Sequence, residues 1–221
     1  MKAKVYCIIP ALNEEKNIVP VIKSVLPVVD CVVVVDDGSK DNTAALSQDA
    51  GATVLRHVIN RGQGAALRTG TRFAVQCCAD IIVHFDADGQ FLSEDIATVI
   101  APIVRNEAQI VFGSRFLLKK STNMPKAKEY LIMPLARLVN RLLFKVELTD
   151  PQSGFRAFTP EAFKKIAWQQ DGMAHASEIR AKSVRSGFVV TEVPITVIYH
   201  HFGQKFSGGF KILKDLLIAR L

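Results

Sequence analysis

Short, almost wholly apolar runs recur along the first half of the chain, and each stops at a polar or glycine-rich cluster. They lie at 5–9, 31–35, 52–56, 81–85 and 109–113. Unbroken β-branched runs of this length read as strands buried on both faces. Between them lie stretches with helical spacing at 13–26, from Asp41 or Asn42 onward, at 64–79 and at 93–105. Asn13 and Ser93 stand where helix N-caps are expected, and Glu14 and Glu15 put acids in a first turn. The alternation predicts an α/β domain around a parallel sheet, with right-handed crossovers and helices on both faces.

After Arg115 the pattern changes. Residues 115–145 carry eight Lys or Arg and one acid, Glu129. Leu131, Leu135, Leu138 and Leu142 follow helical spacing there, with Val139 and Leu143 widening the stripe. One reading is a helix packed on the sheet with a solvated basic face. The other is a basic amphipathic helix lying on a membrane surface. Residues 150–158 read as a loop entering a short aromatic strand. Helices are expected from Pro160 and over 178–186, the second ended by Gly187, and strands over 188–193 and 195–199, parted by Pro194. Residues 200–209 are basic and glycine-bearing, and 210–221 are amphipathic. The division expected is a main body over 1–199 and a basic loop with an amphipathic helix over 200–221, suited to docking on a membrane surface.

Bulk composition narrows this picture. A chain of 221 residues, 49% hydrophobic and 22% charged, fits one large soluble domain. Cys7, Cys31, Cys77 and Cys78 form no pattern with zinc spacing, which predicts reduced thiols in the cytoplasm. No signal-peptide core and no run near 18–20 apolar residues occurs, so work at a membrane is expected from its cytoplasmic surface. The net charge of +7 favours an anionic partner. Nucleic acid is disfavoured, because the basic segment has few interleaved aromatics and acidic strand ends would repel its phosphates.

Those strand ends carry the candidate chemistry. Asn13-Glu14, Asp36-Asp37, Asp86-Ala87-Asp88 and Gly113-Ser114-Arg115 each follow an apolar run. Ligands bind beyond the carboxyl ends of strands in open α/β sheets. In an extended segment Asp86 and Asp88 share one side. With the amide oxygen of Gln90 they offer three hard oxygen donors, which suits Mg²⁺ or Mn²⁺. A polar turn capping a strand uses the same residues.

Six segments in order resemble family 2 glycosyltransferases. They are Ile8-Ile9-Pro10-Ala11-Leu12-Asn13-Glu14, Val35-Asp36-Asp37-Gly38-Ser39, Asn60-Arg61-Gly62-Gln63-Gly64-Ala65-Ala66, Asp86-Ala87-Asp88-Gly89-Gln90, Gly113-Ser114-Arg115 and Asp150-Pro151-Gln152-Ser153-Gly154-Phe155-Arg156. Within that family the chain is similar to the dolichyl-phosphate mannose synthase and polyprenyl-phosphate glucosyltransferase group. The likeness spans about residues 5–200 and moves Asp86-Ala87-Asp88 from turn to metal site.

The resemblance implies a GT-A fold and inverting transfer of a hexose from a nucleotide-diphosphate sugar, of GDP-mannose or UDP-glucose type, to a dolichyl or undecaprenyl phosphate. It implies that Pro10, Leu12, Asn13, Glu14, Val35, Asp37, Asp86, Ala87, Gln152 and Lys205 hold the nucleotide sugar, although His200 and His201 stand where an arginine is usual. Gln63 likewise stands where relatives often have lysine. Asp86, Asp88 and Gln90 would hold the metal, and Arg115, Lys126 and Lys128 the acceptor phosphate. An ionised phosphate needs placement by cations and no strong base. A hydroxyl acceptor on a soluble molecule or saccharide would need a carboxylate base, for which Asp150 is the leading residue; a turn acid before Pro151 is the other reading of it. A membrane-anchoring partner or a homo-oligomer is compatible with this picture. A nucleotidyltransferase would need a basic glycine-rich loop after the first strand, which Pro10-Ala11-Leu12-Asn13-Glu14 is not.

Overall fold

The computed structural model describes residues 2–117, 148–150 and 153–198. Seven strands among them form one sheet: β1 Val5–Ala11, β2 Cys31–Asp36, β3 Thr53–Arg56, β4 Ile81–His84, β5 Ile110–Ser114, β6 Arg156–Phe158 and β7 Val190–Pro194. Their spatial order is β3-β2-β1-β4-β6-β5-β7. Every neighbouring pair is parallel except those of β6, which runs against both β4 and β5. The sheet is thus mostly parallel. Arg156–Phe158, the short aromatic strand expected after the loop at 150, lies between β4 and β5. A strand of three residues has too little periodicity to announce a central place.

Each strand's alternating side chains feed two cores. Cys7 and Ile9 of β1, with Val32 and Val34 of β2, face helices α1 (Ile18–Val25) and α4 (Asp95–Val104). Ile8, Val33 and Val35 face α3 (Gln63–Gln76), α5 (Pro160–Ile166) and α6 (His175–Arg185). Helix α2 (Thr43–Asp49) packs beside β3. Ile18, Val21, Ile22 and Val25 are the buried stripe of α1, each contributing about 1.5–3 kcal/mol by burial.

Several boundaries depart from the sequence pattern. Asn13 does not cap a helix. It takes a left-handed φ of 56°, its N–H donates to Ser39 Oγ and its Oδ1 accepts from Lys40 N. The helix therefore starts later, at Ile18, whose N–H donates to Glu14 O. Ser93 likewise precedes the capping position, held by Glu94. Asp41 closes the α2 entry by accepting from Thr43 N at 3.0 Å. Pro194 ends β7 rather than parting two strands, and Val197 bridges back to Phe91. The basic segment 118–147 and residues 199–221 lie outside the described residues.

Gly70 lets α3 lie on the sheet. A Cβ there would stand 2.4 Å from Ile8 Cγ2 and 2.9 Å from Val35 Cγ2. On the same face two histidines are buried. His84 Nε2 lies 2.9 Å from Thr71 Oγ1. His175 Nδ1 donates to Gly172 O at 2.8 Å, so Nε2 accepts from Arg156 Nη2 at 3.3 Å. Burial, and then Arg156, depress His175 to about 3 and hold His84 well below the ordinary imidazole value.

Gly70→Ala should lower stability by about 1–2 kcal/mol, since overpacking against central strands outweighs the gain in helix propensity. A denaturation midpoint that is unchanged or raised would show that α3 lifts freely from β1. His175 stays neutral in the folded state, so its stabilisation is full above about pH 6.5 and is lost as pH falls toward 3, by up to about 1.4 kcal/mol per pH unit. His175→Gln should be less stable than the parent at pH 7, with the gap closing between pH 6.5 and 4. A constant gap would mean that His175 charges as easily in the folded protein as in the unfolded one.

Candidate active site

The loops after β1 and β2 are zipped together. Beyond the two Asn13 bonds, Glu14 N donates to Thr43 Oγ1 at 2.8 Å and Glu15 N to Asp41 Oδ2 at 3.2 Å. Pro10 is buried in β1 and Leu12 is exposed beside it. Val35 and Ala87 are buried in opposite cores, so these two can line a ligand only through their backbone.

Asp37 is buried and surrounded by donors from one loop. Its Oδ1 accepts from Arg61 N at 2.9 Å and lies 2.6 Å from His57 Nδ1, while Oδ2 accepts from Gly62 N at 2.7 Å. His57 Nε2 lies 2.9 Å from Thr69 Oγ1. The carboxylate thus ties loop 57–62 to the end of β2. That loop continues into the entrance of α3, which meets residues 168–175 at close range. A Cβ on Gly62 would come 2.5 Å from Asp171 O, and one on Gly64 2.3 Å from Gln170 O. Trp168 Nε1 donates to Gly64 O at 2.8 Å, and Arg68 pairs with Asp171.

The held loop presents Gln63 to the end of β4. Gln63 Nε2 donates to Asp86 Oδ1 at 3.0 Å. On the other side a Cβ on Gly154 would lie 2.7 Å from Asp86 Oδ2, so the backbone closes on the carboxylate. Phe85, Phe91 and Phe155, with ring centroids 5.1–5.6 Å apart, form the floor beneath. Burial and the neighbouring Asp88 push the Asp86 carboxyl up to about 6, against the pull of Arg156, Gln63 and Arg115. Asp88 Oδ1 accepts from Gln90 N at 3.0 Å, and Gln90 O accepts from Ile198 N at 2.8 Å.

The Asp88 charge raises the proton affinity of Asp86, so a cation between the two carboxylates would relieve their repulsion. Among the described residues no group of three or more His, Cys, Asp or Glu forms a metal cage. That donor set fits Mg²⁺ or Mn²⁺, which is commonly held by one or two carboxylates while phosphates and waters complete the shell.

At the end of β5, Arg115 meets Asp150 in a two-pronged ion pair. Nε donates to Oδ2 at 2.6 Å and Nη2 to Oδ1 at 2.7 Å, with Arg115 N reaching Oδ2 at 3.2 Å. Arg115 also helps to stabilise the Asp86 charge, so the two strand ends share one electrostatic environment. The structure therefore joins the ends of β1 and β2, and those of β4 and β5. Lys126, Lys128, Gln152 and Lys205 lie outside the described residues.

The sequence pattern did not single out Arg156, His57, His175, Arg180 or Glu192. Arg156 alone left a signal, as an arginine between Phe155 and Phe158 in a strand with every residue buried. The others come from distant elements, and only the tertiary fold brings them in.

The model of the family "Glycosyl transferase family 2" matches residues 6–167. A Methanococcus voltae protein named UDP-N-acetylglucosamine–dolichyl-phosphate N-acetylglucosaminyltransferase is 35% identical over 242 residues, covering 98% of this chain and 96% of that protein. Polyprenol monophosphomannose synthase of Mycolicibacterium smegmatis is 28% identical over 215 residues, covering 91% and 80%. The solved structure of glucosyl-3-phosphoglycerate synthase from Mycobacterium tuberculosis, in complex with Mn²⁺, uridine diphosphate and phosphoglyceric acid, superposes with a TM-score of 0.75 at 22% identity, covering 97% of this chain and 78% of that one. The shared fold is GT-A. With the ordered strand-end motifs and a family match over most of its length, the chain belongs to glycosyl transferase family 2 and is a glycosyltransferase.

Proposed function

We propose that this glycosyltransferase moves a hexose unit from a nucleotide-diphosphate sugar to a polyprenyl phosphate, with inversion at the anomeric carbon. The observation that carries the reading is the Arg115–Asp150 pair. Asp150 accepts three N–H bonds from Arg115, so serving as a base would cost it an ion pair. A hydroxyl nucleophile needs such a base, whereas a phosphate monoester is already ionised and needs a held cation. The relatives from Methanococcus voltae and Mycolicibacterium smegmatis, named for dolichyl phosphate and polyprenol acceptors, support the same acceptor class.

In this reading the loops bearing Pro10, Leu12, Asn13 and Glu14 cradle the nucleoside, with Asp37 acting by fixing loop 57–62. Gln152 and Lys205 complete the donor side. Arg115, with Lys126 and Lys128, sets an acceptor oxygen in line with the anomeric carbon. That oxygen forms the new C–O bond as the bond to the nucleotide diphosphate breaks, and the diphosphate leaves with the electron pair. Asp86 and Asp88, with Gln90, would hold Mg²⁺ or Mn²⁺, which when bound offsets charge on the departing diphosphate. Among the described residues no helix is long and apolar enough to cross a membrane. The basic stretches 115–145 and 200–221 supply the attraction to an anionic bilayer, placing the enzyme on the cytoplasmic face.

Asp88→Ala should cut transfer by about 10²-fold or more and weaken Mn²⁺ binding in the presence of nucleotide, with the thermal melt retained. Full activity in that variant would remove Asp88 from the metal role. Arg115→Ala should raise the acceptor KM by about tenfold or more while the donor KM stays within about twofold. Assays with a polyprenyl phosphate in detergent and with soluble saccharides decide the acceptor class; turnover on saccharides alone would overturn the proposal.

A further inference from the structure

We infer that Glu192 and Arg180 are positioning residues for Arg115, acting through the peptide of Asp150. The inference rests on the acceptor role proposed for Arg115. Glu192 stands in edge strand β7, in register with Phe112 of β5. Its carboxylate spans two successive peptides, accepting from Thr149 N at 2.7 Å and from Asp150 N at 3.2 Å. Arg180, in α6, is buried and donates from Nη2 to Asp150 O at 2.9 Å. The Asp150 residue is thereby gripped at three points: its N–H by Glu192, its carbonyl by Arg180, its carboxylate by Arg115. Thr149 Oγ1 lies 2.6 Å from Ser114 Oγ, closing the ring on the residue before Arg115.

Arg180 is kept at a cost. Its Nε and Nη1 are buried without a hydrogen-bond partner among the described residues, and its guanidinium carbon lies 6.0 Å from the Phe112 ring centroid. An apolar side chain of similar size would fill that space without stranded donors. The hydrogen bond that Arg180 does make goes to Asp150, which is the return for burying it. Burial pulls Arg180 down to about 10, so it remains charged at neutral pH. Two cations, Arg115 and Arg180, thus interleave with two anions, Asp150 and Glu192. The four charges cancel, and repulsion between the arginines is masked by the acids between them. A guanidinium locked in this lattice keeps one orientation, where a loosely held arginine would have to be ordered on binding.

This arrangement separates positioning from plain electrostatics. Removing the Glu192 charge makes the cluster net positive, which by attraction alone would improve binding of an anionic acceptor. Positioning predicts the opposite. With a polyprenyl phosphate acceptor in detergent and the nucleotide sugar that supports turnover, Glu192→Gln and Arg180→Lys should each raise the acceptor KM by about five- to tenfold, leaving the donor KM within about twofold. In an Arg115→Ala background the same changes should have little further effect on the acceptor KM, because the group they position is gone. Thermal melts show whether each variant folds, and Arg180→Lys, which keeps the charge, stands in if Glu192→Gln does not. A lower acceptor KM, equal losses for donor and acceptor, or full additivity with Arg115→Ala would each overturn the inference. If Arg115→Ala alone leaves the acceptor KM unchanged, the proposed role of Arg115 fails first, an outcome distinct from failure of Glu192 and Arg180.

Discussion

A carboxylate taken out of water must be given donors or a cation, and this fold places several along one sheet edge. Asp37, Asp86 and Asp150 each sit just past a strand or beside one, and each is answered differently. Asp37 receives two backbone N–H groups and an imidazole from loop 57–62. Asp86 receives the Gln63 amide, lies under the influence of Arg156, and keeps a raised proton affinity. Asp150 receives a guanidinium. Loop 57–62 and the entrance of α3 are shaped by these needs. The active-site edge is an electrostatic solution before it is a binding surface.

The parts legible in the sequence are those governed by local pattern. Apolar runs bounded by turn residues located β1, β2, β4 and β5 to within one or two residues, and the two-core division follows from strand alternation. Pairing across long sequence distances was not legible. β6 holds a central place with three residues, because its neighbours bury it rather than because of its own pattern. Asn13 shows the same limit: residue type favours a cap, but its N–H and Oδ1 find partners at Ser39 and Lys40, 26 and 27 residues away. Among the site residues, the strand-end acids and Arg115 stood out because charge follows an apolar run. Glu192 and Arg180 did not, since a lone charge in a half-buried strand or a mixed helix looks like any solvated residue.

Charge is divided unevenly along the chain. Residues 118–147 carry seven Lys or Arg against two acids, and 199–221 carry four against one, an excess greater than the net +7 of the whole. The remaining residues are therefore close to neutral. A near-neutral body tolerates a cluster of acids at its active edge, and the cationic stretches act on partners of opposite charge at separations within a Debye length of about 8–10 Å. The acids of the active edge and most of the positive charge thus lie in different parts of one polypeptide.

The insertion of β6 between β4 and β5 also sets a schedule for synthesis. When β5 emerges at Ile110–Ser114, neither of its neighbours exists: β6 begins at Arg156 and β7 at Val190. β3, β2, β1 and β4 can pair as soon as they are made, but β5, apolar and buried on both faces in the finished protein, must wait for more than forty further residues. Non-local pairing of this kind slows folding and leaves a strand edge open to wrong partners. On the ribosome, the half of the enzyme that carries Arg115 is the half that needs shelter longest.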